Sequence, residues 1–193
     1  MAALPFAACT MTDTPSEPDP TVQSHFFPLS NGLIYTYSRF DGVRNQNDTL
    51  RCRLRIGGTR LDPDFFLNMK TGDTLYYIGF MNDANGNQAA VLRNGDTTLL
   101  ALDGRLVQGA TWVADEVHGI HATVLDHYDD YYLPGRTVHY PDVLVVKYIQ
   151  LDNPNTFTLR FFARDRGLIR EVNLYDNNTE ISSLQLLAID SPH

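Results

Sequence analysis

Residues 137–190 read TVHYPDVLVVKYIQL (137–151), DNPNT (152–156), FTLRFFA (157–163), RDRG (164–167), LIREVNLY (168–175), DNNTE (176–180) and ISSLQLLAID (181–190). Strand-length blocks of Val, Ile, Leu, Phe and Tyr alternate here with clusters of Asn, Asp, Pro and Gly. β-branched and aromatic side chains suit a pleated surface, and the intervening residues suit tight turns. The run therefore predicts consecutive antiparallel hairpins.

The same grammar extends towards the N-terminus. Val117–Leu133 reads as one long strand or a bulged pair, and Leu106–Val113 as a strand holding the single tryptophan, Trp112. Asn94-Gly95 separates Gln88–Arg93 from Thr97–Leu102, the strongest short hairpin signal because both residues tolerate the left-handed backbone of a type I′ turn. Thr74–Phe80 is a further strand, followed by a loop over Met81–Asn87. Phe65–Lys70 reads as one short helical turn after a loop over Gly57–Asp64. In Thr49–Ile56, Leu50, Cys52, Leu54 and Ile56 alternate with Arg51, Arg53 and Arg55. Period-two alternation sends the apolar set, Cys52 included, to the core and the arginines to the other face. With Leu33–Phe40, about ten strands and little helix are expected. The fold class is all-β and antiparallel: a curved sheet or half-barrel, or a sandwich.

Residues 25–193 are expected to form this single β domain, a length that buries a core without staples. Residues 1–9, MAALPFAAC, are apolar and end in small residues before Cys9, as the tail of a lipoprotein signal does. Phe6 stands where such signals usually have Leu, and only eight residues precede the cysteine. Residues 10–24 hold three prolines (Pro15, Pro18, Pro20), three acids and no base. That composition cannot bury enough apolar surface to fold and suits a solvated tether. Cys9 is thus the candidate lipidation site, and the membrane is reached only through that anchor.

A net charge of −8 excludes the basic footprint that nucleic acid requires. No apolar run approaches a membrane-spanning helix in length. Two cysteines, Cys9 and Cys52, are too few for a disulfide framework.

Motifs of chemistry are sparse. Asp83–Asn87, DANGN, opens like a calcium loop but has Asn94 where the bidentate glutamate belongs. A turn at Asn85-Gly86 accounts for it. Four histidines, His118, His121, His127 and His139, lie near Asp126, Asp129 and Asp130. On one continuous strand His121, His127 and Asp129 would share a face, yet the two histidines would stand about 20 Å apart at about 3.3 Å per residue. Polar surface histidines are the expectation, and no metal, cofactor or catalytic residue is assigned. No nucleophile elbow, HExxH, phosphate loop or dinucleotide fingerprint occurs.

FFPLSNGLIYTYS (26–38) and FFARDRGLIREVN (161–173) together resemble envelope lipoproteins of Bacteroidetes and Chlorobi type. The likeness rests on Pro28, Leu29, Gly32, Tyr35 and Tyr37, and on Ala163, Gly167, Leu168, Ile169 and Glu171. Leu133-Pro134-Gly135 followed by Asp142–Tyr148 is similar to a third segment of that group. Ile34-Tyr35 stands where the group often has Trp. The resemblance implies a curved half-barrel like that of lipoprotein carriers, whose concave face holds acyl chains. It places the chain in the bacterial cell envelope, periplasmic or anchored to the outer membrane, and not among enzymes.

Three functions follow as expectations. The first is binding of a lipid or apolar small molecule on the curved sheet, with the ligand-binding residues unassigned. The second is an interaction subunit of an envelope complex, using exposed aromatics or the Arg51, Arg53 and Arg55 stripe. The third is a metal-dependent hydrolase built on His118–His139.

Overall fold

The computed structural model describes residue 26 and residues 32–55, 64–70, 74–82, 88–94, 97–102 and 106–191. The lipobox-like segment with Cys9, the tether, Asp83–Asn87 and Gly95 lie outside the described residues.

Among the described residues, twelve strands form one antiparallel sheet. They are β1 (Ile34–Asp41), β2 (Gln46–Arg55), β3 (Asp64–Asn68), β4 (Thr74–Asn82), β5 (Gln88–Asn94) and β6 (Thr97–Leu102). They continue as β7 (Thr111–Asp115), β8 (Ile120–Tyr132), β9 (His139–Gln150), β10 (Asn153–Ala163), β11 (Gly167–Tyr175) and β12 (Glu180–Asp190). The spatial order is β6-β5-β4-β3-β2-β1-β12-β11-β10-β9-β8-β7. The chain meanders outward from β1 to β6, reappears at the far edge as β7, and meanders back until β12 pairs with β1.

Laid flat, twelve strands would separate β6 from β7 by about 50 Å at the usual inter-strand spacing. Instead the two edges touch. The Trp112 indole N–H on β7 donates to the Leu100 carbonyl on β6 at 2.8 Å, and the Tyr148 hydroxyl on β9 donates to the Ala101 carbonyl at 2.5 Å. The sheet therefore curls into a ring whose only junction without a strand ladder, among the described residues, is β6 against β7. The curved-sheet expectation holds, and the sandwich does not, because a single sheet supplies the whole architecture.

The C-terminal hairpins fold as their turn residues direct. Asp165 and Gly167 take positive φ in the β10–β11 turn, and Asn178 does so before β12. Cys52 is buried between exposed Arg51 and Arg53, as the alternation of β2 requires. The Arg55 side chain lies outside the described residues.

Two expectations are corrected. Phe65–Lys70 is not a helical turn: β3 pairs with β2 and β4 on both sides, and only Met69 and Lys70 turn. Backbone hydrogen bonds to two neighbours outweigh whatever local preference a five-residue segment has. Leu106–Val113 is not one strand either. Gly109 has φ 84°, and the Ala110 N–H bonds to the Val107 carbonyl, so a turn precedes β7.

The core lies along β8 to β12 and β1. Leu144, Val146 and Phe162 are fully buried on the inner face, each contributing about 1.5–3 kcal/mol by leaving water. Val143 and Val145 are buried on the outer face. There the tip of the β8–β9 hairpin folds back across the sheet. Tyr131 packs 5.1 Å from the Phe161 ring, and the Arg170 guanidinium donates to its hydroxyl. Gln185 on β12 donates to the Pro134 carbonyl at 3.1 Å. This cover explains why β9 is apolar on both faces where a half-exposed strand would alternate.

Candidate ligand groove inside the rolled sheet

Which face is inside follows from the seam contacts. Trp112 pairs with Ala122, and Ala122 with Tyr148, so their side chains share a face. Since Trp112 and Tyr148 both reach β6 across the ring, that face is the concave one.

Register carries two rows of side chains across this face. The first runs from Tyr148 to Thr158, Asn173, Ser182 and Asp41. The second runs from Val146 to Arg160, Glu171, Leu184 and Arg39, and ends at Asp48. Each row begins buried and apolar near β9 and becomes polar towards β1 and β2.

Within the rows the polar groups find one another. Thr158 Oγ1 donates to Asn173 Oδ1 at 2.6 Å, and Asn173 Nδ2 donates to Ser182 Oγ at 2.9 Å. Arg160 Nε donates to Glu171 Oε2 at 2.7 Å, with both side chains 19% exposed. The same guanidinium lies 4.9 Å from the centre of the Tyr148 ring. Arg39 forms a two-pronged pair with Asp48, which holds that carboxyl below its usual range. Burial pushes the Tyr148 hydroxyl well above its ordinary value, so it serves as a donor.

Two cavities open along these rows. One, of about 370 Å³, lies between β1, β2, β11 and β12, with Arg39, Asp41, Leu50, Glu171, Asn173 and Leu184 among its walls. The other, of about 240 Å³, is walled by Ile120, Tyr148, Gln150, Thr158 and Ile181 as well as by Asn173. Asn173 lines both, so they are neighbouring reaches of one groove. Its total space falls in the range that small ligands occupy, and its walls mix aliphatic and hydrogen-bonding groups.

The histidines fall elsewhere and apart. His118 Nδ1 bonds Asp115 at 2.7 Å, His139 Nδ1 bonds Asp130 at 2.5 Å, and His127 Nε2 bonds Asp142. A bulge between Val124 and Asp126 reverses the facing of β8. His121 pairs with Ile149 on the outer face and His127 with Leu144 on the inner, so the two do not share a side. Among the described residues no three His, Cys, Asp or Glu side chains converge as a metal site. Asp142 instead links His127 to Arg164, whose guanidinium covers the buried Phe26 ring.

The sequence marked Leu50 only as a core residue and Glu171 only within the family likeness, and assigned no ligand-binding residue. Thr158, Asn173 and Ser182 match no motif, and their proximity exists only through register. Counting outward from the turn at 164–166 would set Thr158 opposite Val172; the bulge between Phe161 and Phe162 shifts the register and brings Asn173 there instead.

No protein-family profile matches the chain, and no curated protein is similar to it. Among solved structures it is similar to an inferred exported protein with YmcC-like fold from Bacteroides fragilis, at 11% identity and TM-score 0.46, covering 85% of this chain and 98% of that one. It is similar to an inferred lipoprotein from Parabacteroides distasonis, at 12% identity and TM-score 0.44, covering 86% and 98%. A LolA superfamily protein from Nitrosomonas europaea follows at 11% identity and TM-score 0.33, covering 89% and 92%. The first two are an exported protein and a lipoprotein of Bacteroidetes, the group the sequence resembles.

Proposed function

We propose that this chain is a non-enzymatic protein of the bacterial cell envelope that holds a lipid or other apolar ligand inside its rolled sheet. The observation that carries the reading is the two-part groove on the concave face, joined at Asn173. Leu50, Leu184, Ile120 and Ile181 give it aliphatic walls for a chain-like ligand. The opposite face carries Arg51, Arg53 and Lys147, which is the reverse of the apolar belt a membrane-embedded barrel presents to lipid. Cys9 would supply the anchor, with residues 10–24 as the tether.

Native mass spectrometry after incubation with lipid vesicles and removal of detergent-free excess tests this. A stoichiometric bound lipid mass is the expected result, and a bare chain under the same conditions overturns the proposal.

A second reading has one observation in its favour. Tyr128, Tyr132 and Val138 are all more than a third exposed on the β8–β9 hairpin, a surface suited to a protein partner in the envelope. Crosslinking in cells from Tyr132 to a single partner, together with an empty groove, would favour it over the carrier.

A further inference from the structure

We infer that the ligand of this groove bears an uncharged, hydrogen-bonding head of the hydroxyl, ester or amide class, seated at Asn173. The inference rests on the proposed function and adds to it the chemistry of the head.

The first argument is charge balance. Three arginines stand at or beside the groove, and each faces its own carboxylate: Arg39 with Asp48, Arg160 with Glu171, and Arg44 with Asp41 at 3.8 Å. A carboxylate or phosphate head beside Arg39 or Arg160 would lie against Asp48 or Glu171 as well, and Arg44, three-quarters exposed, offers it only a well-solvated charge. An ammonium head would meet the converse problem. For Arg160 and Glu171, both largely withdrawn from water, breaking the pair would strand a charge in a poorly solvated place. The groove is therefore built against an ionic head of either sign.

The second argument is the hydrogen-bond chain at the junction. Thr158 donates to Asn173, and Asn173 donates to Ser182. With its oxygen accepting from Asn173, the Ser182 hydroxyl has its own proton to direct onward, and Ser182 lines the larger cavity. In the smaller cavity Gln150, Thr156 and Thr158 add neutral donors and acceptors around the same Asn173. Such groups match a glyceride, sugar or amide head, and the aliphatic walls on either side receive its chain. A bare hydrocarbon would leave these polar groups without the partners that water gave them.

The test titrates the full chain with a series sharing one oleyl chain: monoolein, oleate, oleoyl lysophosphatidylglycerol and oleylamine. Each is kept below its micelle concentration, and binding is read by native mass spectrometry and by Trp112 fluorescence. Monoolein is expected to bind about tenfold or more tighter than the three charged members. Asn173→Leu and Ser182→Ala are each expected to bring monoolein down to the level of oleate. Their circular dichroism should stay unchanged, and two variants guard against one failing to fold. Equal or tighter binding of any charged member overturns the head assignment and leaves the carrier reading standing. Tight monoolein binding that survives both substitutions overturns the seat at Asn173. Binding of none of the four overturns the carrier reading and this inference together.

Discussion

The Tyr148 hydroxyl on β9 donates to the Ala101 carbonyl on β6 at 2.5 Å, joining strands that stand nine places apart in the sheet. Both residues are buried, so the bond lies away from competing water. Together with the Trp112 bond to Leu100 it substitutes two side-chain donors for the ladder that β6 and β7 do not make. Tyr148→Phe keeps the ring beside Arg160 but leaves the Ala101 carbonyl without its donor. A buried acceptor stripped of its partner costs about 1–3 kcal/mol. Urea denaturation should show that loss, and hydrogen exchange should rise first in β6 and β7. Unchanged stability would mean that the seam is held by packing alone.

Gly42 closes the β1–β2 turn against the β12 bulge. Its N–H donates to the Ile181 carbonyl at 2.8 Å, and a Cβ at this position would lie 2.5 Å from that same oxygen. The obstructing atom is backbone, so it cannot swing aside as a flexible side chain would. Gly42→Ala is expected to cost about 1–3 kcal/mol, the usual scale for overpacking. Gly109→Ala, with nothing within 4 Å of its Cβ but φ at 84°, would suffer only backbone strain, about 1 kcal/mol. Thermal melts of the two variants should rank in that order.

These two sites also show what the sequence could and could not convey. The hairpins from β9 to β12 were legible because alternation and turn residues are local properties, decided within a few positions. β3 was not. Its Phe65-Phe66 pair has no alternation to read, and its identity as a strand comes from partners on both sides. The ring was hidden for a related reason, since contact between β6 and β7 depends on the accumulated curvature of every strand between them. The groove was harder still. Thr158, Asn173 and Ser182 are ordinary strand residues until register aligns them, and a half-buried Asn in a strand looks the same as an exposed one. The bulge at Val124 to Asp126 likewise moved His127 to the face opposite His121, which a continuous strand could not foretell.

Cys52 offers a direct check on the packing of β2. It is 2% exposed, and burial pushes its thiol up to about 12, so the reactive thiolate is absent at any ordinary pH. With Cys9 replaced by Ser, the folded protein should resist iodoacetamide at pH 8 and label fully in guanidinium. Rapid labelling without denaturant would show that β2 opens locally and that its inner face is not held as described.

Asp142 is one of three carboxyls, with Asp48 and Asp115, that make the fold sensitive to acid. Burial alone would raise its carboxyl, but hydrogen bonds from His127 and Arg164 outweigh that effect and hold it below the ordinary carboxylate range. The unfolded chain therefore takes up this proton at a higher pH than the folded one. The stabilisation is complete above the unfolded value of about 4 and fades as pH falls through the lower folded value. Asp142→Asn isolates the effect, because asparagine tolerates the φ of 54° found here while removing the charge. The variant should be less stable than the parent at pH 7 by about 1–3 kcal/mol, the scale of hydrogen bonds to a charged group. That gap should close as both are titrated towards pH 2, where the parent's own carboxyl is protonated. Denaturant midpoints measured across this range decide the matter: a gap that stays constant with pH would show that the Asp142 charge contributes nothing and that the substitution acts through shape.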